Sequence, residues 1–323
     1  METTSLVAER HISERELLRN FPATPEHPNK KILYSLTKES DPNGDISISR
    51  WSAAAPPSVI PAKKTLISSS REPFRYDPVE EDEVAWHLNF ANADLFCSYG
   101  GPFFAQDELQ VAEHPILASV RLWMLSSQDK ALSPTTREGI VATPVLIKSV
   151  ARRCQIDTSE IYGARFGRAT PEKIKAAVRL LDPPTYSNIL AMEAPVGGKG
   201  AYTFGELLRI VQTAHCGFAA AKKISAEKKV KIHTGHWGTG AYGGNKIVMS
   251  ALQILAAQLA GIDALVYHTI DAEEQFVEGL QVYEHVTKTS LFSRLMRSPG
   301  KDLQTILREI EAMKFRWGVS DGN

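Results

Sequence analysis

Cysteine is scarce in this chain, and the three present, Cys97, Cys154 and Cys216, are widely spaced. An odd number without short spacing argues against a disulfide framework and a cysteine zinc site, and it fits a reducing compartment. A surplus of charge is also missing, because 37 Lys and Arg residues balance 37 Asp and Glu. That balance argues against gripping nucleic acid by bulk electrostatics, although a local basic patch stays open. No apolar run approaches the length needed to cross a bilayer. Met1 to Glu16 has no apolar core segment and carries several acids, unlike a secretory signal. No Gly-Lys-Ser/Thr closes a P-loop, and no Gly-x-Ser-x-Gly marks a serine nucleophile. The nine histidines show no metal spacing. His233 and His236 stand close together without clear acidic partners, and His215 reads as a satisfied core residue of an apolar helix.

What is present is enough for a substantial core. A chain of 323 residues, 43% of them hydrophobic, suits one large domain with additions, or two domains. Residues 1–76 read as an accessory region that either wraps the main domain or is partly disordered. Ser13-Glu14-Arg15-Glu16 resembles a capping box opening a helix to Arg19. Residues 21–75 are rich in Pro, Ser, Lys and Asn, and Ala53 to Pro57 and Ser68 to Ser70 read as surface-tracking or mobile segments. Residues 77–293 form the main domain, and 294–323 a helical extension.

Within the main domain strands and helices alternate. Strands are predicted at Val84–Ala91, Asn188–Ala194, Lys229–His233 and Ala264–Ile270, and Gly139–Val150 suits a strand or a helix. Helices are predicted from Pro115 to Ser126, Pro171 to Leu181, Gly205 to Lys222 and Lys246 to Ala260, with Gly261 as a C-cap. Further helices follow near Glu274–Thr287 and Leu303–Met313. The alternation implies an α/β fold with a covered sheet, in which ligands bind beyond the carboxyl ends of strands.

Two stretches stand at such ends. Residues 233–246 read His-Thr-Gly-His-Trp-Gly-Thr-Gly-Ala-Tyr-Gly-Gly-Asn-Lys. Gly235, Gly238, Gly240, Gly243 and Gly244 let backbone approach a ligand closely and let successive N–H groups converge. The helix after the loop adds the positive end of its dipole, a combination suited to phosphate or pyrophosphate. A glycine-rich turn without a ligand is the plainer alternative. The second stretch runs from Asn89-Phe90-Ala91-Asn92 through Tyr99-Gly100-Gly101-Pro102 to Gln106-Asp107-Glu108. Adjacent carboxylates after a glycine turn repel, which raises one pKa and leaves a group able to act as an acid. They also suit a helix N-terminus with no chemistry at all.

Together the two stretches resemble the macrodomain-type poly(ADP-ribose) glycohydrolases. In that family a strand ending Asp-Phe-Ala-Asn leads through a glycine-rich loop to Gln-Glu-Glu, and a later loop reads close to Thr-Gly-Asn-Trp-Gly-Cys-Gly-Ala-Phe-Gly-Gly. The matching residues are Asn89 to Asn92, Gln106-Asp107-Glu108, and Thr234 to Gly244, with residues 93–105 giving the usual separation. Trp-Gly-x-Gly-Ala-aromatic-Gly-Gly is the more specific part, and the resemblance spans about 80–272. Departures are Asn89 for aspartate, Asp107 for glutamate, His236 for asparagine, Tyr242 for phenylalanine, and Gly100-Gly101-Pro102 for three consecutive glycines.

The resemblance implies a three-layer α/β/α macrodomain with a mixed central sheet and hydrolysis of an ADP-ribosyl glycosidic bond. Glu108 matches the catalytic glutamate, which protonates the leaving oxygen and then helps activate water. Asp107 would hold ribose hydroxyls, Asn92 would hydrogen-bond a ribose, and Phe90 would pack near the adenine. Gly238, Thr239, Gly240, Ala241, Tyr242 and Gly243 would wrap the diphosphate, with Tyr242 closing over the ribose. Gly100, Gly101, Gln106 and His236 complete the expected binding set. The partners implied are ADP-ribose and ADP-ribosylated proteins, with no cofactor, metal, membrane or direct nucleic-acid contact, in the cytoplasm or nucleus.

Asp94, Glu113 and Asp271 are further acids near predicted strand or loop ends. They could hold a guanidinium by bidentate pairing, which would suit arginine-linked mono-ADP-ribose, and the plainer alternative is that Asp94 and Glu113 are solvated surface acids. The alternatives are a poly(ADP-ribose) glycohydrolase and a reader that binds ADP-ribose without cleaving it. A rival of another class is a nicotinamide-dependent oxidoreductase, because Gly238-x-Gly240-x-x-Gly243 satisfies the dinucleotide fingerprint and Asp263 lies about 20 residues on. Against it, the motif comes late, with too little chain left for a doubly wound domain.

Overall fold

The computed structural model describes residues 4–38, 42–288 and 301–320. In chain order the elements are β1 (Ser5–Ser13), α1 (Glu14–Asn20), α2 (Pro28–Leu36), β2 (Asp45–Ser52), β3 (Leu66–Ser70), β4 (Glu83–Ala91), α3 (Gln106–Glu113) and α4 (Ile116–Ser126). A short hairpin, β5 (Arg137–Glu138) and β6 (Val141–Ala142), precedes β7 (Val145–Ile156), α5 (Arg165–Arg168), α6 (Pro171–Ala177) and β8 (Val178–Glu193). Then come α7 (Phe204–Ile224), β9 (Lys229–Thr234), α8 (Lys246–Ala260), β10 (Ala264–His268), α9 (Glu273–Thr287) and α10 (Leu303–Ala312).

Eight strands form one sheet in the order β1-β2-β7-β8-β4-β9-β10-β3. From β8 to β3 neighbours run parallel, whereas β1, β2, β7 and β8 pair antiparallel, so the sheet is mixed. Side chains alternate across it with a period of two. Trp86, Leu88, Leu190, Met192, Ile232 and Leu265 face the layer made by α7, α8, α9 and α10. Ile147, Ile189 and Ala191 face the other way, onto Leu17, Val111, Leu117 and Val120 of α1, α3 and α4. The result is the expected three-layer α/β/α arrangement. Each fully buried Leu or Ile in these layers contributes about 1.5–3 kcal/mol relative to exposure. Among the described residues no helix is long and apolar enough to cross a membrane.

Local chemistry sets the helix ends. The Ser13 hydroxyl accepts from the Glu16 N–H, and Thr203 and Glu206 form a reciprocal capping box on α7. Gly261, with φ of 65°, closes α8 where the sequence placed its C-cap.

Three elements differ from expectation. Residues 1–76, read as accessory, supply β1, β2 and β3 of the central sheet. Ser68 to Ser70, read as a surface segment, lies in β3, where pairing with β10 outweighs a serine-rich composition that carries little strand signal. The α6 helix stops at Ala177, short of Leu181, because Val178, Arg179 and Leu180 pair with Ile156, Gln155 and Cys154 of β7. This makes β8 longer than the strand predicted at Asn188–Ala194. The boundary placed at 293/294 lies outside the described residues.

The α8–α9 contact depends on Gly279. A Cβ there would stand 1.9 Å from Ser250 Oγ and 2.7 Å from the Ile247 carbonyl oxygen. Gly279→Ala should therefore lower stability by about 1–3 kcal/mol despite alanine's better helix propensity. A urea unfolding midpoint equal to or above that of the wild type would contradict this.

Candidate active site

Parallel pairing of β4, β9 and β10 brings their carboxyl ends side by side. Three consecutive residues of α3 are fastened there. The Gln106 amide spans β4, with Oε1 accepting from the Phe90 N–H at 2.8 Å and Nε2 donating to the Leu88 carbonyl at 2.9 Å. Asp107 Oδ1 accepts from Asn89 Nδ2 at 3.0 Å, and Glu108 Oε2 accepts from the Ala105 N–H at 2.8 Å, capping the helix. Both carboxyl side chains are buried. Burial first, and the Glu108 carboxylate second, push Asp107 up to about 7, while Asn89, Lys30 and Arg121 oppose the rise. Repulsion within the pair thus contributes to a raised carboxyl, as expected, with burial the larger cause.

Beneath the pair lies Lys30 of α2, which is fully buried. Its Nζ donates to the Tyr99 carbonyl at 3.0 Å and stands 4.8 Å and 5.4 Å from the ring centroids of Phe104 and Phe166. Burial lowers this ammonium to about 8 against the pull of Glu108 and Asp107. Sequence reasoning passed over Lys30 because it lies in the segment read as accessory. The available signal was Pro28, which is well suited to opening a helix.

The glycine loop closes the other side. Gly238 and Gly243 have φ of 76° and 65°, a region that favours glycine. A Cβ on Gly238 would stand 2.7 Å from Pro195 Cδ, and one on Gly244 would stand 2.5 Å from the Gly238 carbonyl oxygen. Internal bonds run from the Thr239 N–H to His236, from the Gly243 N–H to Gly240 and from the Gly244 N–H to Gly238. Among the described residues the N–H groups of Gly240, Ala241 and Tyr242 have no backbone acceptor, and these residues form the open part of the loop. Two contacts join the halves of the site. Asn92 Nδ2 donates to the Tyr242 hydroxyl at 3.1 Å, and a Cβ at Gly235 would be 3.6 Å from Phe90 Cζ.

Asn92 and Tyr242 thus meet, Phe90 lies by Gly235, Asp107 is fastened to the same strand through Asn89, and Tyr242 is near enough to feel the charges of Asp107 and Glu108, whereas other expected residues do different work. Gln106 has its amide engaged on β4, so it positions the acids. Gly100 packs against Pro25, and its carbonyl accepts the N–H groups of Glu26 and His27. The Gly101 N–H turns back to the Ser98 carbonyl. His236 Nε2 is 2.7 Å from the Thr269 carbonyl and its Nδ1 is 3.4 Å from the Tyr267 hydroxyl, so it ties the loop to β10. Burial lowers its pKa, and the neutral ring donates through Nε2–H to that carbonyl. Thr239 is buried and turned back onto the His236 carbonyl. Gly238 and Gly243 are buried supports of the turn. The α8 N-terminus offers fewer free donors than expected, because Asn245 Oδ1 takes the N–H groups of Ile247 and Val248.

Two of the three extra acids, Asp94 and Glu113, are committed internally. Asp94 forms a bidentate pair with Arg121, at 2.5 Å and 3.0 Å. Glu113 is buried against Arg152 at 2.9 Å, and Asp271 is exposed and 3.8 Å from Lys246. His233 Nδ1 lies 3.0 Å from His268 Nε2, and among the described residues no group of His, Cys, Asp and Glu could hold a metal ion. His215 is buried as expected, but its Nδ1 has no partner among the described residues. Asp263 precedes β10, where it pairs with Lys63 and Lys222, each at 2.6 Å. That is the strand end away from the glycine loop, the wrong place for an acid that would hold a dinucleotide ribose.

Residues 163–276 match the family model described as Poly (ADP-ribose) glycohydrolase (PARG), Macro domain fold. The match takes in the glycine loop and α8, whereas the acid pair lies before it. Over that segment the chain is poly(ADP-ribose) glycohydrolase-like, as the resemblance of the two loops implied. Among solved structures, poly(ADP-ribose) glycohydrolase from Thermomonospora curvata is similar over 84% of this chain and 85% of its own, with 16% identity and a TM-score of 0.45. The Deinococcus radiodurans enzyme in complex with ADP-ribose is similar over 86% and 94%, with 13% identity and a TM-score of 0.43. Likeness at this level carries no residue role from those enzymes to this chain.

Asp107 yields a pH-dependent prediction. A carboxyl raised from 3.8 to about 7 binds its proton more tightly in the folded state. Its protonation supports the fold below 3.8, and that support is lost as pH climbs to about 7. Asp107→Asn, which stays neutral, should exceed the wild type in stability at pH 8 by at least about 1 kcal/mol and lose that advantage by pH 4. Urea unfolding at the two pH values measures this, and a pH-independent difference would count against it.

Proposed function

We propose that the protein hydrolyses the glycosidic bond at C1″ of an ADP-ribosyl group. The observation that carries this is the Asn92–Tyr242 hydrogen bond, which ties the end of β4, the strand that holds Asp107 through Asn89, to a loop whose Gly240, Ala241 and Tyr242 N–H groups have no backbone acceptor among the described residues. A diphosphate on Gly240, Ala241 and Tyr242 would set the distal ribose toward Glu108. Cleavage builds oxocarbenium character, and a carboxylate alongside stabilises it. Glu108 protonates the departing oxygen and then draws a proton from the incoming water, while Asp107 with Asn89 behind it orients ribose hydroxyls. General acid–base assistance of this kind is worth roughly 10²–10⁴-fold.

For the linkage, the internal pairing of Asp94 and Glu113 is informative. Those acids were expected to hold a substrate guanidinium, and Arg121 and Arg152 occupy them. An O-linked substrate such as the ADP-ribose polymer is therefore preferred here over arginine-linked mono-ADP-ribose. Glu108→Gln should lower turnover about 10²-fold or more while ADP-ribose affinity stays within a few-fold. Full activity in that variant would refute the acid assignment, and a wild type that binds but never cleaves would make the protein a reader. Gly240→Val should weaken ADP-ribose binding about tenfold by blocking backbone approach. Unchanged affinity by calorimetry would remove the diphosphate from this loop.

A further inference from the structure

The residues after α10 lie against the glycine loop. The Gly318 N–H donates to the Gly243 carbonyl at 2.7 Å. Asn245 Nδ2 donates to the Arg316 carbonyl at 3.3 Å, and the Asn245 N–H donates to the Tyr202 hydroxyl at 2.8 Å. Trp317 stacks on Tyr202 with ring centroids 4.2 Å apart, and its Nε1 donates to Glu206 at 3.1 Å. The Trp317 N–H donates to the Gly200 carbonyl at 2.9 Å, and the Tyr202 N–H to that of Phe315 at 2.9 Å.

The opposite flank of the loop is filled as well. Pro195 packs against Gly238, and a Cβ on Gly197 would stand 2.5 Å from the Tyr242 carbonyl oxygen. The loop 238–245 is thus gripped between 195–202 on one side and 315–318 on the other. The grip falls on Gly238, the Tyr242 carbonyl, Gly243 and Asn245, and none of these contacts uses the N–H groups of Gly240, Ala241 or Tyr242.

A glycine-rich loop left to itself samples many conformations, and few of them converge its N–H groups. We infer that Phe315–Gly318 is a positioning segment, which holds the glycine loop in the conformation that receives the diphosphate. The inference rests on the proposed role of that loop. The segment lies beyond the 163–276 match, so the resemblance does not supply it. Neither Trp317 nor Gly318 touches the reacting atoms in this scheme. Their effect falls on binding, because an apparent dissociation constant rises as the competent fraction falls.

The test uses the full chain with Trp317→Ala and, separately, Gly318→Pro, which removes the donor to Gly243 and spares the tryptophan. Two readouts are taken: hydrogen exchange of 238–244 without ligand, and ADP-ribose affinity by calorimetry. Both variants should exchange faster in the loop and bind ADP-ribose about tenfold more weakly, with kcat at saturating substrate within about twofold. Trp317→Phe, which keeps the stack on Tyr202, should recover most of the affinity. If the wild type binds ADP-ribose and the variants bind equally well, the positioning role is refuted and the proposed function stands. If the wild type itself binds none, the proposed function fails and this inference falls with it. Should Trp317→Ala not fold, Gly318→Pro alone decides.

Discussion

Two carboxyl groups set side by side in a buried place are the constraint around which this site is organised. Taking either out of water is costly, and their mutual repulsion adds to the cost. The surrounding structure offsets it piece by piece. The Asn89 amide donates to one, the Ala105 N–H to the other, and the N-terminus of α3 adds its dipole. Lys30 supplies a positive charge from a helix far away in sequence, and is held by the Tyr99 carbonyl and two aromatic rings. Removing any one of these leaves the others to bear an uncompensated charge.

The same economy explains the arginines. Arg121 and Arg152 neutralise acids close to the site. Arg50, wholly buried, spreads its guanidinium over Thr135, Thr143 and Glu138, fixing the segment whose Thr136 hydroxyl donates to the Asn92 carbonyl. Polar groups in this layer act as scaffold, and the groups left open toward a ligand are few.

Much of this was legible in the sequence where the information is local. The glycine loop is contiguous, so its backbone demands are written in adjacent residues. The helix after it begins at Lys246 and ends at Ala260, as read from its cap signals. The acid pair is also adjacent, and its repulsion was foreseeable without coordinates. What could not be read depends on distant partners. Nothing near Asp94 says that Arg121 will occupy it, and nothing near Lys30 says that it will lie under Glu108. The amide of Gln106 looks free in sequence and is bound on both sides in the fold. Ser68 to Ser70 resemble a loop until β10 is placed beside them.

That last strand bears on how the chain is made. β3 finds its hydrogen-bond partner in β10, with Thr269 Oγ1 reaching back 199 positions to the Ser70 carbonyl. At the opposite edge β1 and β2 can pair as soon as they emerge, but β2 waits for β7. Contacts so remote in sequence slow folding, since chain entropy is lost before they form. The serines that hid β3 from sequence reading carry a benefit during that wait. A strand of Leu-Ile-Ser-Ser-Ser exposes little to attract other chains, so the nascent protein can hold its edge open until residue 268 has been added.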